Sequence, residues 1–168
     1  MELIRPNEKY INQYREAIEE NNKYRKYSEH IFSNPDSIVE SAFNMERGIN
    51  LKPGHVRATT LWLIDGDKFI GQVGIRHELM PALLKYGGNI GYEIRWSECR
   101  KGYGTKMLGM ALEFCRAELK LRRVLLTCDR DNIASRKIIE NNGGVFENEL
   151  TNVLDRGTVV TRRYWIEL

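Results

Sequence analysis

The sequence predicts an α/β fold of the α+β kind, on three observations. The region Val56–Arg76 reads as two strands joined by a tight turn, which is the pattern of a β-hairpin. Residues 90–142 then alternate between strand and helix patterns, and residues 145–167 read as a closing pair of strands. Because no repeat, linker or low-complexity tract interrupts these patterns, residues 1–168 are expected to form one domain.

Each predicted element rests on a local pattern. Tyr10, Tyr14 and Ala17 share one face of an N-terminal helix, and Asn34-Pro35-Asp36-Ser37 is typical of a helix start. The segment His77–Gly88 is expected to be a loop with one helical turn. In chain order the predicted elements are a strand at 3–4, a helix over 7–27, a helix after 34–37, strands at 56–64 and 68–76, a strand at 90–96, a helix over 107–119, a strand at 123–128, a helix at 133–142, and strands at 145–153 and 158–167.

The composition is that of a soluble globular protein. Hydrophobic residues make up 42% and charged residues 29% of the chain, and the net charge is +3. This charge suits an anionic ligand but lacks the basic stripe expected of a nucleic-acid partner. No apolar run reaches the roughly 20 residues that a membrane span needs, and the N-terminus lacks an apolar signal core. Nucleic acid and membrane are therefore not expected as partners.

The cysteines favour a reducing compartment. Cys99, Cys115 and Cys128 are odd in number and lack the spacing of a metal site. Cys115 and Cys128 fall on apolar faces and are expected in the core. The sequence therefore predicts a cytoplasmic protein without a metal.

The stretch Gly91–Thr105 carries the functional signal. Its first half alternates like a strand, its second half is a basic glycine turn, and the helical pattern of Met107, Leu108 and Ala111 follows at once. A strand, a glycine turn and a helix start in this order aim backbone N–H groups at an anion. Arg100 and Lys101 add positive charge, so the sequence predicts a phosphate site here.

Three phosphate-binding patterns compete for this turn. A Walker loop requires Gly-Lys followed by Ser or Thr, whereas Gly104 is followed by Thr105-Lys106. A dinucleotide fingerprint requires a third glycine where Met107 stands. The third pattern, Arg/Gln-x-x-Gly-x-Gly/Ala between a strand and a long helix, fits Gly102 and Gly104.

With this loop, the region from Asn89 to Phe146 resembles a GNAT N-acetyltransferase. The matching residues are Gly91-Tyr92-Glu93-Ile94-Arg95, Lys101-Gly102-Tyr103-Gly104-Thr105, Thr127-Cys128, Asn132, Ser135 and Asn142-Gly143-Gly144. The resemblance implies a central mixed, mostly antiparallel sheet flanked by helices. It also implies acetyl-CoA as co-substrate and transfer of the acetyl group to an amine by direct attack in a ternary complex.

The resemblance also implies the site residues. Backbone N–H groups from Ile94 to Trp96 would pair with pantetheine and polarise the thioester carbonyl. Asn132 is expected to contact the pantetheine amide, or to serve as a plain N-cap. The complete set of predicted cofactor contacts is Ile94, Arg95, Trp96, Arg100, Lys101, Gly102, Tyr103, Gly104, Thr105, Asn132 and Ser135.

Two residues are candidates for the general base that deprotonates the amine. Glu93 lies mid-strand, on the face opposite Tyr92 and Ile94. The alternative for Glu93 is a structural ion pair with Arg76 or Arg95 that holds the strands together. His77 ends the preceding strand and has a suitable unperturbed pKa, or is a solvent-facing loop residue.

The sequence departs from the family pattern at two positions. Cys99 stands where the loop motif has Arg or Gln, and Ile139 stands where many members carry the tyrosine that protonates the departing thiolate. The missing tyrosine keeps open an alternative, a non-catalytic module that binds acyl-CoA. The acceptor amine is not identified by the sequence, although the N-terminal helices and the His77–Gly88 segment are expected to line its pocket. The apolar run Tyr164-Trp165-Ile166 favours a homodimer.

Overall fold

A computed structural model describes residues 1–24, 32–154 and 157–168. Within these ranges the chain forms strands and helices in an order close to the predicted one. The strands are β1 (Glu2–Ile4), β2 (Ala58–Asp65), β3 (Lys68–Arg76), β4 (Ile90–Ile94), β5 (Arg123–Asp129), β6 (Val145–Leu154) and β7 (Gly157–Glu167). The helices are α1 (Ile11–Tyr24), α2 (Ile38–Arg47), α3 (Pro81–Lys85), α4 (Tyr103–Ala117) and α5 (Ile133–Asn141), with 3-10 turns at Glu8–Tyr10 and Trp96–Glu98.

The strands form two antiparallel sheets. The first sheet has the order β1-β2-β3-β4, and the second has the order β5-β7-β6. The helix α4 connects β4 at the edge of the first sheet to β5 at the edge of the second. The sequence therefore folds as predicted into an α+β architecture of mainly antiparallel strands flanked by helices.

The two sheets are joined at the start of β4. The Asn89 backbone N–H donates to the Leu125 carbonyl (2.7 Å), and the Leu125 N–H donates to Asn89 Oδ1 (2.8 Å). The Asn89 carbonyl also accepts from the Arg76 N–H at the end of β3. Beyond this joint β4 and β5 are not paired, so a gap opens between their carboxyl ends.

Apolar side chains cover both faces of the first sheet. On one face, α4 and Ile139 of α5 pack against both sheets in a core that includes Val73, Leu108 and Leu126. On the other face, α1 and α2 pack on Trp62 of β2 in a second cluster. These helices use the faces that the amphipathic patterns predict.

Several predicted boundaries differ from the structure. The helix expected over 7–27 begins as a 3-10 turn, and its predicted end at 25–27 lies outside the described residues. The His77–Gly88 segment contains the five-residue α3, as expected. Arg95 and Trp96 were expected in a strand, but β4 ends at Ile94 and the chain turns into a 3-10 helix.

The C-terminal strand does not present an apolar interface. The strand β7 lies between β5 and β6, and both Tyr164 and Ile166 are buried in the core. Trp165 is partly covered by the Arg123 guanidinium, which lies 4.4 Å from the ring centre. The argument for a homodimer from these three side chains is therefore wrong.

No helix among the described residues is both long enough and apolar enough to cross a membrane.

Candidate active site

A cavity of about 710 Å³ lies between the end of β4 and the start of α5. Its walls come from the end of β4, the glycine loop (residues 100–105, which include the start of α4) and the first two turns of α5. The lining residues are Tyr92, Glu93, Ile94, Trp96, Glu98, Cys99, Arg100, Gly102, Tyr103, Gly104, Thr105, Asn132, Ala134, Ser135, Lys137 and Ile138. The structure thus brings most of the predicted cofactor residues to one cavity.

The glycine loop presents backbone N–H groups at one end of the cavity. The helix α4 begins at Tyr103, and its N-cap Gly102 provides no side chain to cap it. Within the described residues, the N–H groups from Gly102 to Thr105 have no hydrogen-bond acceptor. Because such groups carry the positive end of the helix dipole, they form a site for an anion such as a phosphate.

Gly104 lets the two helices beside the cavity approach each other. A Cβ atom on Gly104 would lie 2.6 Å from Cδ1 of Ile138, which is too close for van der Waals contact. The glycine therefore lets the first turn of α4 pack directly against α5.

The charges around the loop are arranged differently from the prediction. Lys101 does not extend toward an anion, because its Nζ lies 2.9 Å from Oε2 of the buried Glu98. Lys68 of β3 contacts the other oxygen of the same carboxylate. Arg100 remains an exposed cation in the cavity wall. The predicted side-chain role of Lys101 is therefore corrected to an ion pair that holds the turn together.

The environment of Glu98 perturbs its ionisation. Burial alone would raise the pKa of this carboxyl, but hydrogen bonds from Lys68 and Lys101 outweigh burial and hold the pKa below its usual value of 4.5. Glu98 was not predicted as a site residue, yet it anchors both lysines beneath the loop.

Replacing Glu98 with Gln should destabilise the protein at neutral pH by roughly 1–3 kcal/mol, because two charge-assisted hydrogen bonds are lost. Since the folded state lowers the pKa of Glu98, this stabilisation is complete above about pH 4.5 and is lost as the pH falls further. Urea unfolding at pH 7 and pH 3.5 should therefore show a gap between wild type and variant that shrinks in acid. Glu113→Gln, at an exposed position of α4, is the control, and a gap that stayed constant with pH would contradict this prediction.

Glu93 lies on the cavity wall and is buried, with 4% of its surface exposed. Its Oε1 accepts a hydrogen bond from Nδ2 of Asn21 in α1, at 2.7 Å. The two sheet arginines considered as partners have other contacts: Arg76 donates to the carbonyls of Gly87 and Gly88, and Arg95 pairs with two glutamates of α1. A buried carboxylate that faces a cavity is suited to accept a proton from a bound amine.

The backbone N–H groups of Arg95 and Trp96, just after β4, form hydrogen bonds within the protein, which differs from the prediction. The Arg95 N–H donates to the Ile70 carbonyl (2.8 Å), and the Trp96 N–H donates to Oδ1 of Asn21 (2.9 Å). The predicted pantetheine contacts through these two N–H groups are therefore wrong for this conformation. The side chain of Trp96 is 42% exposed and stacks on Tyr24.

The start of α5 forms the opposite wall. Oδ1 of Asn132 accepts from the Ser135 N–H (3.0 Å), so this residue is an N-cap, and its oxygen is occupied. The Ser135 hydroxyl lies 2.9 Å from the Tyr92 hydroxyl. Burial raises the pKa of Tyr92, so its hydroxyl stays protonated at neutral pH. Ile139 is fully buried in the core, so the position of the usual tyrosine does not face the cavity.

His77 lies far from Glu93. It lies just after the end of β3, five residues beyond Gln72, the partner of Glu93, and five residues of extended chain span about 16 Å. Its Nε2 lies 2.8 Å from the Thr59 hydroxyl, and burial together with the charge of Arg57 lowers its pKa. Neither His77 nor the segment that follows it to Gly88 is among the described residues that line the cavity. The geometry therefore gives no support to a base role for His77 or to a substrate-pocket role for that segment.

The cysteines divide as predicted. Cys115 and Cys128 are buried, and burial raises their pKa values to about 12 and about 11. Both are therefore unreactive thiols of the core. Cys99 is half-buried at the loop end of the cavity, with Sγ 3.6 Å from the Arg95 carbonyl.

Sequence reasoning missed Asn21 and the pairing of Tyr92 with Ser135. A signal for Asn21 was present, because it continues the spacing of Tyr10, Tyr14 and Ala17 on the buried face of α1. A polar residue on such a face needs a hydrogen-bond partner elsewhere in the fold. The local pattern does not show which strand supplies that partner, because this depends on tertiary packing.

Comparison with known proteins agrees with this architecture. Residues 2–145 match the family described as Acetyltransferase (GNAT) domain. No curated protein matches the sequence. Among solved structures, the chain is similar to the RimL ribosomal L7/L12 alpha-N-protein acetyltransferase in complex with coenzyme A, with a TM-score of 0.75 and 16% identity over 99% of this chain and 93% of that chain.

Two further structures show the same fold. The microcin C7 self-immunity acetyltransferase MccE, in complex with acetyl-CoA and AMP, has a TM-score of 0.73 and 19% identity over 99% of this chain and 91% of that chain. A mutant of the spermidine N-acetyltransferase SpeG from Vibrio cholerae has a TM-score of 0.68 and 17% identity over 99% of this chain and 95% of that chain. All three structures share the fold of this chain over 99% of its length, and the match to the family covers residues 2–145. The chain therefore belongs to the GNAT acetyltransferase family.

Proposed function

We propose that this protein transfers the acetyl group of acetyl-CoA to a primary amine by direct attack in a ternary complex. The observation that carries the proposal is a single cavity with two chemically different parts. The backbone N–H groups from Gly102 to Thr105, which have no acceptor among the described residues, lie at one end, and the buried carboxylate of Glu93 lies on the wall. The N–H groups are suited to bind a pyrophosphate, and the carboxylate is suited to accept a proton from an amine.

The cofactor half of the proposal rests on the loop. Its backbone N–H groups and the exposed Arg100 would hold the pyrophosphate, while Lys101 and Glu98 keep the turn in shape. Ile94, Thr105 and Ser135 line the cavity beside the loop, where the pantetheine arm would lie. RimL and MccE, which share this fold, are complexes with coenzyme A and with acetyl-CoA.

The chemical step needs few groups. The neutral amine attacks the thioester carbonyl, and the tetrahedral intermediate collapses with cleavage of the carbon–sulfur bond. Glu93 accepts the proton that the amine nitrogen loses, and the thiolate leaves as CoA after protonation. With Ile139 buried, the paired hydroxyls of Tyr92 and Ser135 in the cavity wall are candidates to supply this second proton. No covalent acetyl-enzyme is required.

The acceptor is proposed at the level of a primary amine. The similar structures act on different amines, since RimL is an alpha-N-protein acetyltransferase and SpeG is a spermidine N-acetyltransferase. The acceptor would approach from the α1 side of β4, where Glu93 and Trp96 line the cavity. We also propose that residues 1–168 act as one catalytic domain, because one core holds side chains of both sheets.

The test is acetyl-CoA turnover across a panel of polyamines, amino acids, aminoglycosides and peptides with free N-termini, with release of the CoA thiol as readout. At least one amine should accelerate thiol release and yield the acetylated product. Tight acetyl-CoA binding with no amine-dependent release would instead support a non-catalytic acyl-CoA-binding module. Cys99→Ser should remain active, and loss of turnover with an acetylated Cys99 in wild type would replace direct attack with a covalent route.

A further inference from the structure

We propose that Asn21 is a positioning residue that holds the Glu93 carboxylate and the chain after β4 in their working arrangement. This proposal rests on the proposed function, because it concerns the orientation of the base. It adds a residue of α1, 72 positions away from Glu93 in the sequence, to the machinery of the site.

Asn21 contacts both elements at once. Its Nδ2 donates to Oε1 of Glu93 at 2.7 Å, and its Oδ1 accepts from the Trp96 N–H at 2.9 Å. The side chain is completely buried. Since burying an amide is unfavourable unless its polar atoms are paired, an asparagine at this position of α1 is explained by these two bonds.

The two partners fix the orientation of the amide. An ionised carboxylate can only accept, and a backbone N–H can only donate. If the amide were flipped, Oδ1 of Asn21 would face a carboxylate oxygen of Glu93, and Nδ2 would face the Trp96 N–H. Asn21 therefore matches both groups in one orientation only, so the position of the Glu93 carboxylate is tied to the backbone at Trp96.

The last turns of α1 reinforce this link. Glu20 binds the Arg95 guanidinium (2.6 Å) and accepts from the Ser97 N–H (3.2 Å), and Glu16 also pairs with Arg95. The helix thus holds the chain that leads from the base to the glycine loop. Within this clamp, Asn21 is the residue that contacts Glu93 itself.

Two substitutions separate the contacts of Asn21. Asn21→Asp can still accept from the Trp96 N–H, but it cannot donate to Glu93 when ionised and adds a like charge beside it. Asn21→Leu has a similar volume and removes both bonds. Asn22→Asp and Asn22→Leu, at the adjacent exposed position, are matched controls and should leave turnover unchanged.

For both Asn21 variants we expect kcat to fall about 10- to 100-fold, while the acetyl-CoA Kd changes less than about threefold. In the Glu93→Gln background the same substitutions should change kcat less than about threefold, because the group they position is already inactive. Additive losses in that background would overturn the proposal, and so would wild-type turnover in Asn21→Asp.

A structural readout keeps the positioning proposal testable without an acceptor. In a crystal structure of Asn21→Leu with acetyl-CoA, the Glu93 carboxylate should rotate away from its present place while α4 and the loop stay unchanged. An unmoved carboxylate would refute the role of Asn21. Absence of amine acetylation by wild type would instead refute the proposed function, while displacement of Glu93 would still support the positioning.

Discussion

Replacing Glu93 with Gln is expected to lower kcat at neutral pH by about 10²- to 10⁴-fold, with little change in the acetyl-CoA Kd. The amide has nearly the same size as the carboxylate, so the cavity should keep its shape. What the substitution removes is the ability to accept the proton that the amine must lose. The measurement is steady-state turnover with the best amine of the panel, together with a direct acetyl-CoA titration.

The control for this experiment is His77→Gln. His77 is the other candidate base, but it is hydrogen-bonded to the Thr59 hydroxyl just beyond the end of β3, five residues after the partner of Glu93. Its replacement should change kcat less than about twofold. Unaltered turnover in Glu93→Gln would remove the base role from Glu93, and a large loss in His77→Gln would return that role to the histidine.

The location of the loop and of Glu93 could be predicted from sequence because both depend on local patterns. Alternation along β4 places Tyr92 and Glu93 on opposite faces, and the structure shows Tyr92 on Ser135 of α5 and Glu93 on Asn21 of α1. The glycine turn followed by an amphipathic pattern likewise predicted the helix α4, although α4 begins at Tyr103, inside the predicted turn. These features need only the periods of strands and helices.

The errors concern contacts that the strand and helix patterns do not show. The sequence suggests His77 as a second candidate base because it ends the predicted strand that precedes the strand of Glu93, but the antiparallel register places Glu93 opposite Gln72, five residues before His77. Lys101 was assigned to an anion because the sequence does not show that Glu98 turns back toward it and toward Lys68. The N–H groups of Arg95 and Trp96 are expected to bind pantetheine because the sequence does not show that β3 and α1 supply acceptors for them, the Ile70 carbonyl and Asn21 Oδ1 respectively. In each case the deciding partner is fixed by tertiary packing.

The β4–β5 joint fixes the start of β4, whose carboxyl end lines the cavity, and Gly88 is the tightest point of this joint. A Cβ atom at this position would lie 2.4 Å from the Leu125 carbonyl oxygen, and the backbone has a φ of +59°, which L-residues rarely adopt. Gly88→Ala should therefore lower the free energy of unfolding by roughly 2–5 kcal/mol, from backbone strain and overpacking together. Urea denaturation at neutral pH measures this loss.

The variant Gly87→Ala measures the effect of backbone strain without the overpacking that Gly88→Ala also introduces. Gly87 also has a positive φ of +96°, but its added Cβ would meet only the end of the Leu83 side chain, at 3.2 Å. It should therefore cost about 1–2 kcal/mol, which is the strain contribution alone. Because the clash at Gly88 pushes β5 away from β4 at the joint, only Gly88→Ala should also weaken acetyl-CoA binding, as measured by calorimetric titration of the folded variant. Equal losses of stability in the two variants would show that the close approach of Gly88 to Leu125 does not hold the sheets together.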